Sequence, residues 1–157
     1  MKKAVRIVVS VVVCELAGII GSLFTTPSIP GWYAGLTKPA FNPPSWVFAP
    51  VWTTLYALMG LAAFMVYEKG FRIPEVRKAL TVFAVQLLLN TLWSIVFFGV
   101  HEIFAALVVI VPLWAMILWT ILLFHRISRV AAYLLIPYSL WVSFASVLNA
   151  ALYVLNR

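Results

Sequence analysis

Apolar residues run along this chain in stretches too long for a water-soluble core of this size, and the polar residues gather between them. Crossing the hydrocarbon of a bilayer takes about 20 helical residues. On that measure the pattern predicts spans at Ala4 to Phe24, Trp46 to Tyr67, Ala79 to Phe98, Ile103 to Phe124 and Val130 to Val154. None of them alternates as a barrel strand must, and backbone groups in lipid have to be satisfied within their own segment. The predicted fold class is therefore all-α, an integral membrane bundle of five transmembrane helices forming a single domain over residues 1–157. The first connection, Thr25 to Ser45, is the longest, whereas Gly99 to Glu102 reads as a tight turn. Long ordered loops in compact proteins are usually functional.

Polar positions inside the spans are informative because they avoid lipid. Gln86, Asn90, Trp93, Ser94 and Phe97 recur at spacings of three and four, which places them on one face of the third helix. Tyr138, Trp141, Ala145 and Asn149 form a similar stripe in the fifth, where Pro137 should distort the helix. Taken singly, Gln86, Asn90 and Asn149 read as interhelical hydrogen-bonding residues. Several such stripes beneath an aromatic loop point to a cavity.

That loop and the helix it enters read WYAGLTKPAFNPPSWVFAPVWTTLY, from Trp32 to Tyr56. Pro39, Pro43, Pro44 and Pro50 restrict its backbone, and its aromatic rings offer flat, weakly polar faces. Asn42 is a candidate N-cap, Pro50 should bend the helix one turn later, and Trp52 and Tyr56, four apart, should share a face. Tryptophan also anchors helices at membrane interfaces. Trp32 and Trp46 fit either role, Trp114 and Trp119 fit lipid contact or packing, and Trp52, Trp93 and Trp141 fit cavity walls.

Composition agrees: 65% of residues are hydrophobic, 10% are charged, and the mean hydropathy is +1.09. The net charge of +7 is explained by orientation, so no nucleic-acid partner is expected. Lys2, Lys3, Arg6, Lys69, Arg72, Arg77, Lys78, Arg126 and Arg129 fall on one side, against Lys38 and Arg157 on the other. The positive-inside rule then places the N-terminus in the cytoplasm and favours the inner membrane of a prokaryote. The basic start resembles a signal peptide, but Glu15 interrupts its apolar core and no A-x-A site follows, so it reads as a retained helix. Glu15 itself, midway along a span, must be protonated, paired or functional. Gly18 and Ser22 suggest close approach of another helix, within the bundle or across a dimer. His101, Glu102 and His125 read as solvated or interfacial. Cys14 is the single cysteine, and no metal site is expected. Nucleophile motifs, phosphate loops and paired carboxylates are absent, so no conventional catalytic residue is assigned.

The loop segment above, LNTLWSIVFFG (Leu89 to Gly99) and PYSLWVSFASVLN (Pro137 to Asn149) together resemble the translocator protein family, also called tryptophan-rich sensory proteins or peripheral benzodiazepine receptors. The likeness spans nearly the whole chain in order. It implies five helices, usually dimeric, with a cavity beneath the first loop for porphyrins such as protoporphyrin IX, sterols in some members, and isoquinoline carboxamide and benzodiazepine drugs. Carried over by motif, the lining would be Tyr33, Trp52, Asn90, Trp93, Ser94, Tyr138, Trp141 and Ala145. Ala145 falls in the FA dipeptide where substitution in relatives affects sterol and drug binding. Two departures stand out. Ala150 replaces the tyrosine that follows the LN pair in the mammalian sterol motif, which weakens the expectation of sterol binding although Leu148, Tyr153 and Arg157 keep a formal match. Val109 stands where many relatives carry an acidic residue.

The leading expectation is a membrane protein that binds tetrapyrroles and other lipophilic small molecules in a sensory, regulatory or transport role. The macrocycle would stack on Trp52 and Trp141 with Lys38 near a propionate, and no cofactor is required. Some relatives are reported to degrade protoporphyrin IX in light and oxygen, which would make Trp52 and Trp141 electron donors. A proton-coupled exporter of lipophilic compounds using Glu15, as in small multidrug-resistance transporters, and a membrane scaffold are the competing classes.

Overall fold

A computed structural model describes residues 2–157. Helix α1 (Lys3–Ser28) runs on through a π-helical turn, Ile29–Tyr33. A 3₁₀ turn at Ser45–Val47 opens α2 (Phe48–Tyr67), and α3 (Pro74–Ser94) ends in a second π turn, Ile95–Gly99. Then come α4 (Ile103–Ile127), the short α5 (Arg129–Leu134) and α6 (Ile136–Leu155). The described residues contain no strand, and five helical segments are long and apolar enough to cross a membrane. This is an integral membrane protein.

The first helix outruns its expected end at Phe24, so the expected loop 25–45 shrinks to the segment after Gly35. Pro27 and Pro30 read as breakers because each lacks an N–H, yet both lie inside helical backbone. In a bilayer such gaps are filled by hydroxyl side chains and local π adjustments. Here the π turn takes up Pro30, and Ser28 Oγ, between the two prolines, donates to Phe98 O and so ties the end of α1 to the π turn after α3. Asn42 is not an N-cap: Pro44 holds that position, and the Asn42 side chain accepts a hydrogen bond from Tyr33 Oη at 2.7 Å. Pro50 sits in the opening turn of α2. The third helix starts at Pro74 rather than Ala79, because proline at the first helical position and Glu75 beside it suit a helix N-terminus.

The helices form a closed ring: α1 packs on α2, α2 on α5, the α5–α6 pair on α4, α4 on α3, and α3 back on α1. Small residues set the closest approaches. A Cβ at Gly60 of α2 would sit 2.5 Å from Val11 Cα, so only glycine lets α1 and α2 meet there. Ala131 and Ala132 bury α5 in the bundle, and the helix then breaks at Leu135, just before Pro137. Past that break α6 makes few contacts with α2. The cavity lies in the space this leaves.

Below the cavity the bundle is tied by polar groups. Tyr56 Oη donates to Asn90 Oδ1 (2.8 Å), Asn90 Nδ2 to Tyr138 Oη (2.7 Å), and Tyr138 Oη to Gln86 Oε1 (2.7 Å), which joins α2, α3 and α6. Gln86 Nε2 alone in this cluster has no partner.

Candidate ligand-binding cavity

A cavity of about 250 Å³ opens between the far halves of α1, α2, α3 and α6. Its walls differ in chemistry. On α2, Phe48, Trp52 and Tyr56 follow one another at spacings of four and so stack along one face. The third helix and its π turn contribute Trp93, Ser94, Phe97 and Phe98, while α6 contributes Trp141, Phe144 and Ala145. The α1 wall is more polar than the others: beside Ile19 it carries Glu15, Gly18, Gly21, Ser22, Thr25 and Thr26. Gly18 leaves room there for the Tyr56 ring, which a Cβ at that position would crowd. Ser22, Thr26 and Thr53 line the cavity yet remain exposed, so it has a side opening between α1 and α2.

The rings are held from behind. Trp52 stacks on Tyr56 at 5.5 Å between centroids and meets the edge of Tyr138 at 6.3 Å. Trp93 Nε1 donates to Asn149 Oδ1 (3.0 Å), whose Nδ2 donates to Ile103 O (3.0 Å), so one asparagine ties α3, α4 and α6. Trp141 packs edge-on against Phe48 at 6.1 Å. Above them Tyr33 is buried at the end of α1. The loop beyond is pinned at a second point, where Asn156 pairs with the Thr37 backbone in both directions, N to Oδ1 and Nδ2 to O, each at 2.9 Å.

Six of the residues expected at the site line the cavity: Tyr33, Trp52, Trp93, Ser94, Trp141 and Ala145. Asn90 and Tyr138 do not. Each is 1% exposed and spends its polar atoms on the network beneath the floor. Lys38 also lies outside the lining. Its ammonium donates to Ala34 O (3.0 Å) and Leu36 O (3.1 Å) and rests 5.1 Å from the centre of the Tyr33 ring. His101 is exposed as expected, and its ring also stacks on Trp32 at 4.4 Å and meets Ser28 Oγ at 3.2 Å. Trp114 is 39% exposed with its Nε1 on Ser143, in keeping with a packing role.

Tyr56, Phe48, Phe144 and the α1 hydroxyls were missing from the expected lining. Spacing could have found Phe48 and Tyr56, which flank Trp52 by four on either side. On α1, Glu15, Gly18 and Ser22 did stand out, though not as cavity lining, whereas Thr25 and Thr26 read as loop.

The sequence profile of the TspO/MBR family matches residues 10–155. The chain belongs to the TspO/MBR family. It is 43% identical to the tryptophan-rich protein TspO of Chlorobaculum tepidum over 155 residues, covering 99% of this chain and 98% of that one. It is 44% identical to the tryptophan-rich protein TspO of Archaeoglobus fulgidus over 96% of this chain and 97% of that one. The translocator protein of Bos taurus is 38% identical over 91% of this chain and 85% of its own. The cavity rings of this TspO/MBR member all lie within the matched residues 10–155.

Proposed function

We propose that this TspO/MBR protein binds tetrapyrroles and other flat lipophilic molecules in the cavity, in a sensory or transport role like those that relatives' names carry. The observation behind this reading is the convergence of Trp52, Trp93 and Trp141, from three helices, on one chamber. Rigid indole faces suit a planar conjugated ligand, because stacking costs little side-chain entropy. Each square ångström of apolar surface removed from water contributes roughly 25 cal/mol, enough for micromolar binding after ordering costs.

The chamber is slightly smaller than the roughly 300–1,000 Å³ usual for drug-sized ligands. A macrocycle would therefore be enclosed in part, with one edge at the side opening near Ser22, Thr26 and Thr53. Its propionates belong at the loop end, away from Glu15. In the same reading the protein is a homodimer in the inner membrane of a prokaryote with its N-terminus in the cytoplasm, and sterol is not assigned as a ligand.

The test is titration of the purified protein with protoporphyrin IX, read by quenching of tryptophan emission. A Trp52→Leu, Trp141→Leu double variant should bind about tenfold more weakly or worse, from the loss of two stacking faces. Equal affinity in a folded double variant would remove the stacking model.

A further inference from the structure

Glu15 is the one charged side chain that lines the cavity, and no Lys, Arg or His lies on its walls. The one ion pair among the described residues joins Arg6 to Glu68, at 2.8 Å near the other membrane face, so Glu15 has no cation of its own. It projects from α1 into a chamber whose facing wall holds Trp52 and the buried Tyr56. Gly18, one turn on, keeps that wall close.

A carboxylate at this depth is costly unless a partner or water offsets it, and neither a side-chain cation nor a bundle-spanning network does so here. Aromatic faces attract organic cations through the negative centre of the ring, most strongly where water is excluded. A charge-assisted contact to a carboxylate adds to that attraction. Aromatic walls plus one unpaired carboxylate thus supply both elements that recognise a lipophilic ammonium ion.

We propose that the cavity also takes lipophilic aromatic ammonium compounds, with the cationic head at Glu15 against Trp52 and Tyr56 and the apolar body among Trp93, Phe97 and Trp141. The inference rests on the reading that this chamber binds flat apolar ligands, and it adds a polarity. Cationic heads go to the Glu15 end, and anionic groups are repelled from it towards the loop.

The experiment uses the full chain in nanodiscs of phosphatidylcholine. The probes are naphthylmethyl trimethylammonium and its uncharged tert-butyl isostere, which share shape and differ in charge. Binding to the wild type, Glu15→Gln and Glu15→Ala is read by tryptophan quenching, with protoporphyrin IX as a third ligand. The affinity ratio of cation to isostere should fall about tenfold in both variants. Glu15→Ala repeats the test should the glutamine variant fail to fold, since alanine is the best helix former. An unchanged ratio, or a wild type that neither probe saturates, overturns the proposal. If protoporphyrin IX binds and the ratio stays constant, this inference fails and the tetrapyrrole reading stands. If the ratio falls and protoporphyrin IX does not bind, the reverse holds.

Discussion

Trp93 does two things with one side chain: its ring faces the cavity and stacks 5.2 Å from Phe97, while its Nε1 holds Asn149. Trp93→Phe keeps most of the ring and frees Asn149 Oδ1. Interhelical hydrogen bonds in membranes contribute about 0.6–1.7 kcal/mol, so thermal unfolding in detergent should show a loss of that order with ligand affinity largely kept. Asn90→Leu should behave differently from a cavity residue. It strips the Tyr56 and Tyr138 hydroxyls of a buried partner, which costs about 1–3 kcal/mol of stability, yet porphyrin affinity should stay within about twofold of wild type. A large affinity loss at unchanged stability would return Asn90 to the binding wall. The periodicity of α3 showed correctly that Asn90, Trp93 and Ser94 face protein. It could not show depth, and depth separates the buried Asn90 from Trp93 one turn above it.

At the scale of elements, one glycine and an asparagine past the end of α6 decide how the parts meet. Gly60 lets α1 and α2 touch backbone to backbone, so Gly60→Val must force them apart, and overpacking of this kind costs about 1–3 kcal/mol. The expected readout is a lower unfolding temperature in detergent. Asn156 fastens the loop through Thr37 from the far end of α6. Asn156→Ala should raise amide exchange across residues 36–44 and quicken ligand dissociation, and an unaltered off-rate would show that the loop does not control access. The five spans were legible because apolar length is a physical requirement of the bilayer. The end of α1 was not, because Pro27 and Pro30 read as helix breakers, whereas the chain continues helically past both through a π turn at Ile29–Tyr33.

For the whole molecule, the ring order α1, α2, α5–α6, α4, α3 puts the cavity towards the ends of the bundle opposite the basic connections. In the proposed orientation Lys69, Arg72, Arg77 and Lys78 lie in the cytoplasm, so a cysteine placed at Arg72 in a Cys14→Ser background should resist an impermeant thiol reagent in intact cells. Labelling from outside would invert the topology and move the mouth of the cavity to the cytoplasm. The family and its cavity rings were readable from the tryptophan and proline motifs, and Glu15 stood out in its span, but that it faces the same chamber as the rings emerged only when the helices were assembled. The claim on which the rest depends is that ligand occupies this chamber and not the lipid-facing grooves. Ala145 faces the chamber from α6 with space before it, so Ala145→Trp should fill it from within. The decisive measurement is protoporphyrin IX affinity of Ala145→Trp, with folding checked by its unfolding temperature. The account predicts a folded protein that no longer binds, and undiminished binding by that folded variant would contradict it.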